Sequence, residues 1–153
     1  MPSQPSWALL FFFIVLYITV LLAIIPRCVV MLNQLMHQNE HVYDAINDGD
    51  FKDLSNALKS GKRHILLFVD EKQCGYSRKM VNEVWKDLLE HPIQNTTYHR
   101  VLCNMRKPDT WASKFKVTAY PTTIMYDASG TRINTVRGYR TDMGDVISKA
   151  YAA

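Results

Sequence analysis

The feature that most constrains this chain is a stretch of eighteen residues without a charged side chain. It covers residues 8–25, reads ALLFFFIVLYITVLLAII, and contains only two polar side chains, Tyr17 and Thr19. As a helix it would be about 27 Å long, which is close to the hydrocarbon thickness of a bilayer. The sequence therefore predicts a single transmembrane helix, in an anchor over residues 8–30 that follows a short tail over residues 1–7.

The flanks of this stretch decide between an anchor and a cleaved signal peptide. A signal peptide has a basic N-terminal region and a small-residue cleavage site, whereas residues 1–7 contain no Lys or Arg and residues 21–27 read LLAIIPR. Trp7 and Arg27 suit the two membrane–water interfaces. We expect an uncleaved anchor, and Arg27 by itself favours a cytoplasmic position for the rest of the chain.

Charge and cysteine content bear on two other classes of protein. The formal charge of +4 is spread over the 153 residues, apart from a small group at Lys72, Arg78 and Lys79. The sequence has no basic run interleaved with aromatic residues, so it gives no indication of a nucleic-acid partner. The three cysteines are too few and too scattered for a disulfide framework. Cys28, at the expected membrane edge, is either a palmitoylation site or an inert thiol.

Residues 31–49 are predicted to be a juxtamembrane stalk between the anchor and a folded domain. Leu32, Leu35 and Met36 continue a helical face, and the sequence NDGD at 47–50 indicates a break. Residues 37–41 (HQNEH) fit the zinc-peptidase pattern His-x-x-Glu-His. Such enzymes need a further carboxylate ligand and a large surrounding domain, so we expect a solvated helix face here and no metal site.

Helical and strand patterns alternate from residue 50 onward. Residues 64–70 (HILLFVD) form the continuous apolar run of a strand buried on both faces, and residues 98–103 predict a second, parallel strand after a crossover helix. Two further apolar runs flank the turn residues 127–130 as an antiparallel hairpin. Thr141 could cap a final helix. The order predicts an α/β domain over residues 50–153, with a mixed central sheet between helices.

Several segments in this order resemble the thioredoxin-like family, above all its membrane-anchored or periplasmic bacterial members. They are ALKSGKRHILLFV at 57–69, KQCGYSRKM at 72–80, and AYPTTIMYDASGTRINTVRGY at 119–139. The resemblance covers about residues 50–153 and implies a thioredoxin-like three-layer fold without a cofactor. It also implies a bacterial inner-membrane location with the domain in the periplasm, and a cis peptide bond before Pro121, opposite Cys74.

The chain departs from the pattern of that family at three positions. Ser77 replaces the second cysteine of the Cys-x-x-Cys site, and Gln73 replaces the tryptophan that usually precedes the first cysteine. Many thioredoxins have a buried acidic residue in the first central strand, and this chain has Phe68 or Leu67 at that position. Since a hydroxyl neither attacks nor forms a disulfide, a Cys-x-x-Ser site cannot complete a dithiol cycle.

Cys74 and Ser77 are the candidate catalytic residues. At the N-terminus of a helix over residues 75–90, unpaired N–H groups and the helix dipole would stabilise a Cys74 thiolate. The neighbouring basic residues would add positive potential, and the Ser77 hydroxyl could donate a hydrogen bond to the sulfur. A mixed disulfide on Cys74 would then wait for an outside thiol, which suits isomerase or client-holding chemistry.

Three more residues belong to the candidate site. The resemblance implies that Tyr120 and Pro121 bind an extended substrate peptide. Cys103 ends the second predicted strand at the edge of the sheet where Cys74 is expected. It is a candidate second thiol, which would require Cα atoms within about 7 Å, and the alternative is a buried structural cysteine.

Two functions remain open at this stage. One is a membrane-tethered monothiol protein acting in thiol–disulfide exchange of the mixed-disulfide or isomerase type, with client proteins as partners. The other is a redox-inactive thioredoxin-fold subunit of a membrane protein complex. The changes at Ser77 and Gln73 favour the second function, and the retained Cys74 favours the first.

Overall fold

The computed structural model describes residues 7–37, 40–106 and 110–153, and the chain divides into two compact units, Met1–His37 and Gln38–Ala153. The described part of the first unit is one helix, α1 (Trp7–His37), with Pro26 inside it. Its apolar side chains at Phe11, Phe12 and Phe13 are exposed.

Within the three described ranges, no helix is long and apolar enough to cross a membrane. The predicted transmembrane helix is therefore not confirmed. Cys28 lies in α1, but its side chain is not among the described groups. That it is a palmitoylation site or an inert thiol therefore stays a prediction.

The second unit is an α/β domain. Its elements follow in the order β1 (Glu40–Asp44), α2 (Asp48–Ala57), β2 (Arg63–Val69), α3 (Gly75–Lys79), a π-helical segment (Met80–Trp85), α4 (Lys86–Glu90), β3 (Thr96–Leu102), α5 (Thr110–Lys114), β4 (Thr122–Tyr126), β5 (Arg132–Arg137) and α6 (Met143–Ala152). The segment from α3 through α4 is one uninterrupted helical run over residues 75–90, as the sequence predicts.

The five strands form one mixed sheet in the order β1-β3-β2-β4-β5. β1 and β2 both run parallel to β3, whereas β4 is antiparallel to β2 and β5. The predicted parallel pair, hairpin and mixed sheet are confirmed. Because β2 and β3 are parallel, their carboxyl ends meet at one edge of the sheet, where Val69 is in register with Leu102.

Apolar side chains cover both faces of this sheet. β2 lies at the centre, and its residues from His64 to Val69 are all buried, as the continuous apolar run predicts. One face packs on the helical run over residues 75–90 and on α6, through Ile65, Leu67, Met80, Val84, Trp85, Met143 and Ile147. The other face packs on α2 and α5, through Leu54, Leu66, Phe68, Trp111 and Phe115. The three-layer arrangement is therefore confirmed.

Three predictions about local structure are corrected. Residues 31–49 are not only a stalk, since β1 lies within them and pairs with β3. The pattern at 37–41 does not lie on one helix, because α1 ends at His37 while Glu40 and His41 belong to β1. The N-cap of α6 is Asp142 rather than Thr141, and it has no side-chain capping bond.

Candidate functional site

Cys74 is the N-cap of α3. Its backbone is extended, with φ −106° and ψ 112°, which turns the side chain back toward the start of the helix. The sulfur accepts a hydrogen bond from the Ser77 backbone N–H at 3.4 Å, and the thiol donates to the Tyr120 carbonyl oxygen at 3.5 Å. Cys74 therefore lies at the N-terminus of the helix as predicted, half-buried and beside the segment that contains Pro121.

Ser77 is fully buried. The prediction that its hydroxyl donates a hydrogen bond to the Cys74 sulfur is wrong. The group that donates to the sulfur is its backbone N–H, whereas its hydroxyl oxygen accepts a hydrogen bond from the Asp70 backbone N–H at 3.2 Å. Asp70 directly follows β2, so this bond attaches the first turn of α3 to the end of the central strand. The serine side chain thus contributes to the structure of the site.

Asp70 organises the loop before Cys74, and the sequence analysis did not identify it. Asp70 is 1% exposed. Its carboxylate accepts three backbone N–H bonds, from Lys72 at 3.1 Å and Gln73 at 3.0 Å on one oxygen and from Met105 at 2.8 Å on the other. Its carbonyl oxygen also accepts the Cys74 N–H. Aspartate is a common turn-forming residue. Its position directly after the apolar run of β2 is the sequence signal that indicates a structural role for Asp70.

The loop after β3 lies beside the Cys74 loop. The Gln73 side chain donates to the Asn104 side-chain oxygen at 3.1 Å, and the Cys103 backbone N–H donates to the Val69 carbonyl at 2.7 Å. Cys103 and Cys74 are both half-buried. Cys103 lines a pocket of about 290 Å³ together with Asp44, Ile46, Val69, Glu71, Lys72, Leu102 and Asn104.

Of the three basic residues near Cys74, Arg78 has a defined position. Its Nη1 donates to the Glu71 carbonyl at 2.9 Å and lies 3.4 Å from the Lys72 carbonyl. The guanidinium therefore folds back over the loop that leads to Cys74. Lys72 and Lys79 are exposed.

The Tyr120–Pro121 peptide bond is cis, as the resemblance implies. The Pro121 carbonyl accepts the Gly138 N–H at 2.8 Å, and the Thr122 hydroxyl donates to the Ala119 carbonyl at 2.7 Å. These bonds hold the segment in place beside Cys74. Tyr76, two residues after the cysteine, is 66% exposed and adds an aromatic surface next to the thiol.

A second group of ionisable side chains lies away from Cys74, on the face of the sheet that packs on α2 and α5. His64 Nδ1 and His99 Nε2 lie 2.9 Å apart, and the ring of His41 stacks on that of His99 with centroids 5.5 Å apart. Burial, with smaller contributions from His64 and His41, lowers the pKa of His99 to about 3. Burial also lowers the pKa of His64. Among the described residues, no group of three or more His, Cys, Asp or Glu side chains is arranged to hold a metal ion.

The sequence model of the thioredoxin-like domain matches residues 51–144. Among solved structures, thioredoxin from Fasciola hepatica is similar with a TM-score of 0.55 and 21% identity, over 71% of this chain and 98% of that one. A thioredoxin pre-protein from Schistosoma mansoni gives 0.56 and 24%, over 71% and 97%. Thioredoxin f from spinach chloroplast gives 0.56 and 20%, over 72% and 93%. No curated protein sequence matches this chain.

Proposed function

Because this chain belongs to the thioredoxin-like family, we propose that it acts in thiol–disulfide exchange with Cys74 as a single reactive thiol. The observation that carries the proposal is the position of the Cys74 sulfur. It caps the helix, receives the Ser77 N–H, and lies against the Tyr120 carbonyl. A thiolate at this point is stabilised by the N–H donor and by the positive end of the helix.

The proposed cycle has two exchange steps. The Cys74 thiolate attacks one sulfur of a client disulfide, which forms a mixed disulfide with Cys74 and releases the other client sulfur as a thiolate. Ser77 cannot attack this bond. A second thiol, either another cysteine of the client or a small external thiol, then displaces Cys74. With a client cysteine as the second thiol, the net reaction is isomerisation without gain or loss of electrons.

Tyr120 and Pro121 are proposed to bind the client backbone. The Tyr120 carbonyl accepts the S–H of Cys74 at 3.5 Å. An N–H of a client segment could replace the Cys74 S–H as the donor to this oxygen once the sulfur is ionised or bonded. Cys103 is the candidate second thiol of the protein itself, at the same edge of the sheet.

A second candidate function is a redox-inactive subunit of a membrane protein complex. Its support is that two residues that depart from the family pattern, Ser77 and Gln73, make structural hydrogen bonds at the site. The Ser77 hydroxyl binds the Asp70 N–H, and the Gln73 amide binds Asn104. In this function, Cys74 would be a helix cap, and its replacement by serine would leave activity and assembly unchanged.

We also propose that α1 tethers the domain to a membrane. The support is the uncharged run over residues 8–25 and the exposure of large apolar side chains within it, including Phe11 at 69%. Exposed apolar surface of this extent is typical of a lipid or protein contact. Extraction of membranes with alkaline carbonate tests this attachment, since a chain without residues 1–37 should become fully soluble.

The exchange proposal is tested by comparing the full chain with its Cys74→Ser and Cys103→Ser variants. Each reduced protein is mixed with a peptide whose cysteine carries a thionitrobenzoate group, and the protein–peptide adduct is followed by mass. The proposal expects an adduct on Cys74 in the wild type and in Cys103→Ser. Equal adduct formation after loss of Cys74 would support the second function.

A further inference from the structure

A buried carboxylate joins the first strand to the helix that follows Cys74. Glu40 begins β1, and its side chain is 7% exposed. A buried carboxylate is tolerated only with partners. Oε1 of Glu40 accepts the indole N–H of Trp85 at 2.8 Å and lies 3.0 Å from Nε of Arg100. Trp85 ends the π-helical segment and is almost fully buried, so Glu40 attaches this part of the helical run to the edge of the sheet.

Arg100 extends this network to the loop before Cys74. It lies in β3, and its Nη1 is 3.4 Å from Oε1 of Glu71, three residues before the cysteine. Its side chain is 21% exposed. A planar guanidinium can lie between two carboxylates, here as an ion pair with Glu40 and through Nη1 with Glu71, which a lysine ammonium on a flexible stem does less well. Arg100 thus bridges Glu40 and Glu71.

The network reaches Cys74 from both sides along the chain. Before the cysteine, Arg100 holds the Glu71 side chain, and the Glu71 carbonyl accepts Nη1 of Arg78 at 2.9 Å. After the cysteine, Arg78 lies on the first turn of the helix and Trp85 further along it. The loop before Cys74 and the helix after it are therefore fixed to each other by charged and hydrogen-bonded contacts.

We infer that Glu40, Arg100 and Glu71 are positioning residues for Cys74. They hold the loop and the helix in the relative placement that brings the sulfur to the Ser77 N–H and the Tyr120 carbonyl. The role in thiol exchange rests on the proposed function, but the effect on Cys74 can be measured without any disulfide. A reacting atom displaced by about 1 Å can lose up to about 100-fold in rate, and partial release of this loop should cost less.

Two substitutions separate positioning from a simple effect of charge. Glu71→Gln removes a negative charge and Arg100→Gln removes a positive one. If the network acted only through its electric field on the thiolate, the first would speed the reaction of Cys74 and the second would slow it. If the network positions Cys74, both substitutions should slow the reaction of Cys74, by about fivefold. Arg100→Lys should then give an intermediate rate.

The measurement is the rate at which iodoacetamide, a neutral reagent, alkylates Cys74 in the full chain near neutral pH. Mass spectrometry of digested samples gives the rates of Cys74 and Cys103 separately. The control is Glu90→Gln, which makes the same change in the exposed pair Lys86–Glu90 on α4 and should leave Cys74 unchanged. The melting temperature of Glu71→Gln should shift by little more than that of this control, because the Glu71 side chain is 36% exposed and remains in contact with water.

Rates that move in opposite directions in Glu71→Gln and Arg100→Gln, or that equal the wild type in both, would overturn the inference. Failure of the proposed function looks different. In that case wild-type Cys74 would be alkylated, and slowed by both substitutions, yet form no adduct with a peptide disulfide.

Discussion

The sulfur of Cys74 lies 3.5 Å from the carbonyl oxygen of Tyr120. A neutral thiol donates to this oxygen, whereas a thiolate would be repelled by it and would depend on the Ser77 N–H for stabilisation. The contact places any sulfur bonded to Cys74 next to a backbone acceptor. It also means that the serine contributes its backbone to the reacting atom while its hydroxyl is directed to Asp70.

Replacing Ser77 with cysteine should shorten the life of a mixed disulfide on Cys74. In a protein that carries Cys103→Ser, and so lacks the candidate second thiol, the adduct should persist after the free thiol is removed, because Ser77 cannot attack it. In Ser77→Cys a thiol three residues away can displace the peptide without an outside partner, and such intramolecular attack is strongly favoured over an external one. Adduct mass against time measures the difference, and equal lifetimes would contradict this prediction.

Removing the Ser77 hydroxyl should destabilise the domain. Ser77 is fully buried, so Ser77→Ala leaves the Asp70 N–H without its acceptor, at a cost of about 1–3 kcal/mol in the free energy of unfolding. Urea denaturation should show a lower midpoint with an unchanged slope. A loss near zero would mean that this N–H finds another acceptor.

The buried carboxylate of Asp70 should matter more than a similar carboxylate in an exposed turn. Asp70→Asn replaces one accepting oxygen with a donor that faces backbone N–H groups, so we expect a loss of about 2 kcal/mol and slower alkylation of Cys74. The control is Asp127→Asn, which alters an exposed turn where one oxygen accepts the Ser129 and Thr131 N–H groups. It should lower stability less and leave Cys74 unchanged. An Asp70→Asn protein as stable as this control would refute the account of the loop.

Stability should fall as the pH drops below 6.5, with His99 as a main cause. Its folded-state pKa of about 3 is below the ordinary value of 6.5. Above pH 6.5 the ring is neutral in both states and has no effect on stability. Below that value the unfolded chain binds a proton and the folded chain does not, so the free energy of unfolding decreases, by about 2 kcal/mol at pH 5 from this residue.

The variant His99→Gln tests this assignment, since glutamine does not titrate and keeps a hydrogen-bonding group near His64. Urea denaturation at pH 7.5 and at pH 5 should show a stability difference about 2 kcal/mol smaller than in the wild type. An equal difference in both proteins would assign the pH dependence to other groups, including His64, whose pKa burial lowers in the same direction.

The strands and the position of Cys74 could be predicted because their signals are local. The apolar run over residues 64–69 has to be buried on both faces, and a cysteine just before an apolar helical stripe becomes its cap. β1 could not be predicted in this way. It is an edge strand of five residues with three exposed side chains, and it is a strand because β3 supplies its hydrogen bonds.

The internal contacts of the site depend on tertiary geometry that residue type does not encode. Ser77 was expected to bind the sulfur three residues before it, but its hydroxyl reaches the amide of Asp70, seven residues before it. That contact exists because the loop curls around the Asp70 carboxylate. The network from Glu40 to Glu71 likewise joins residues that are 31 positions apart in the chain. The parallel pairing of both β1 and β2 with β3 brings them together.

The central claim, that Cys74 is a reactive single thiol, is tested most directly by the lifetime of its mixed disulfide. The reduced full chain carrying Cys103→Ser is mixed with the thionitrobenzoate-activated cysteine peptide, the excess is removed, and the adduct is followed before and after addition of glutathione. Our account predicts an adduct on Cys74 that persists until glutathione is added and is then released. Absence of the adduct, or its release without an added thiol in a protein that retains Ser77, would contradict the account.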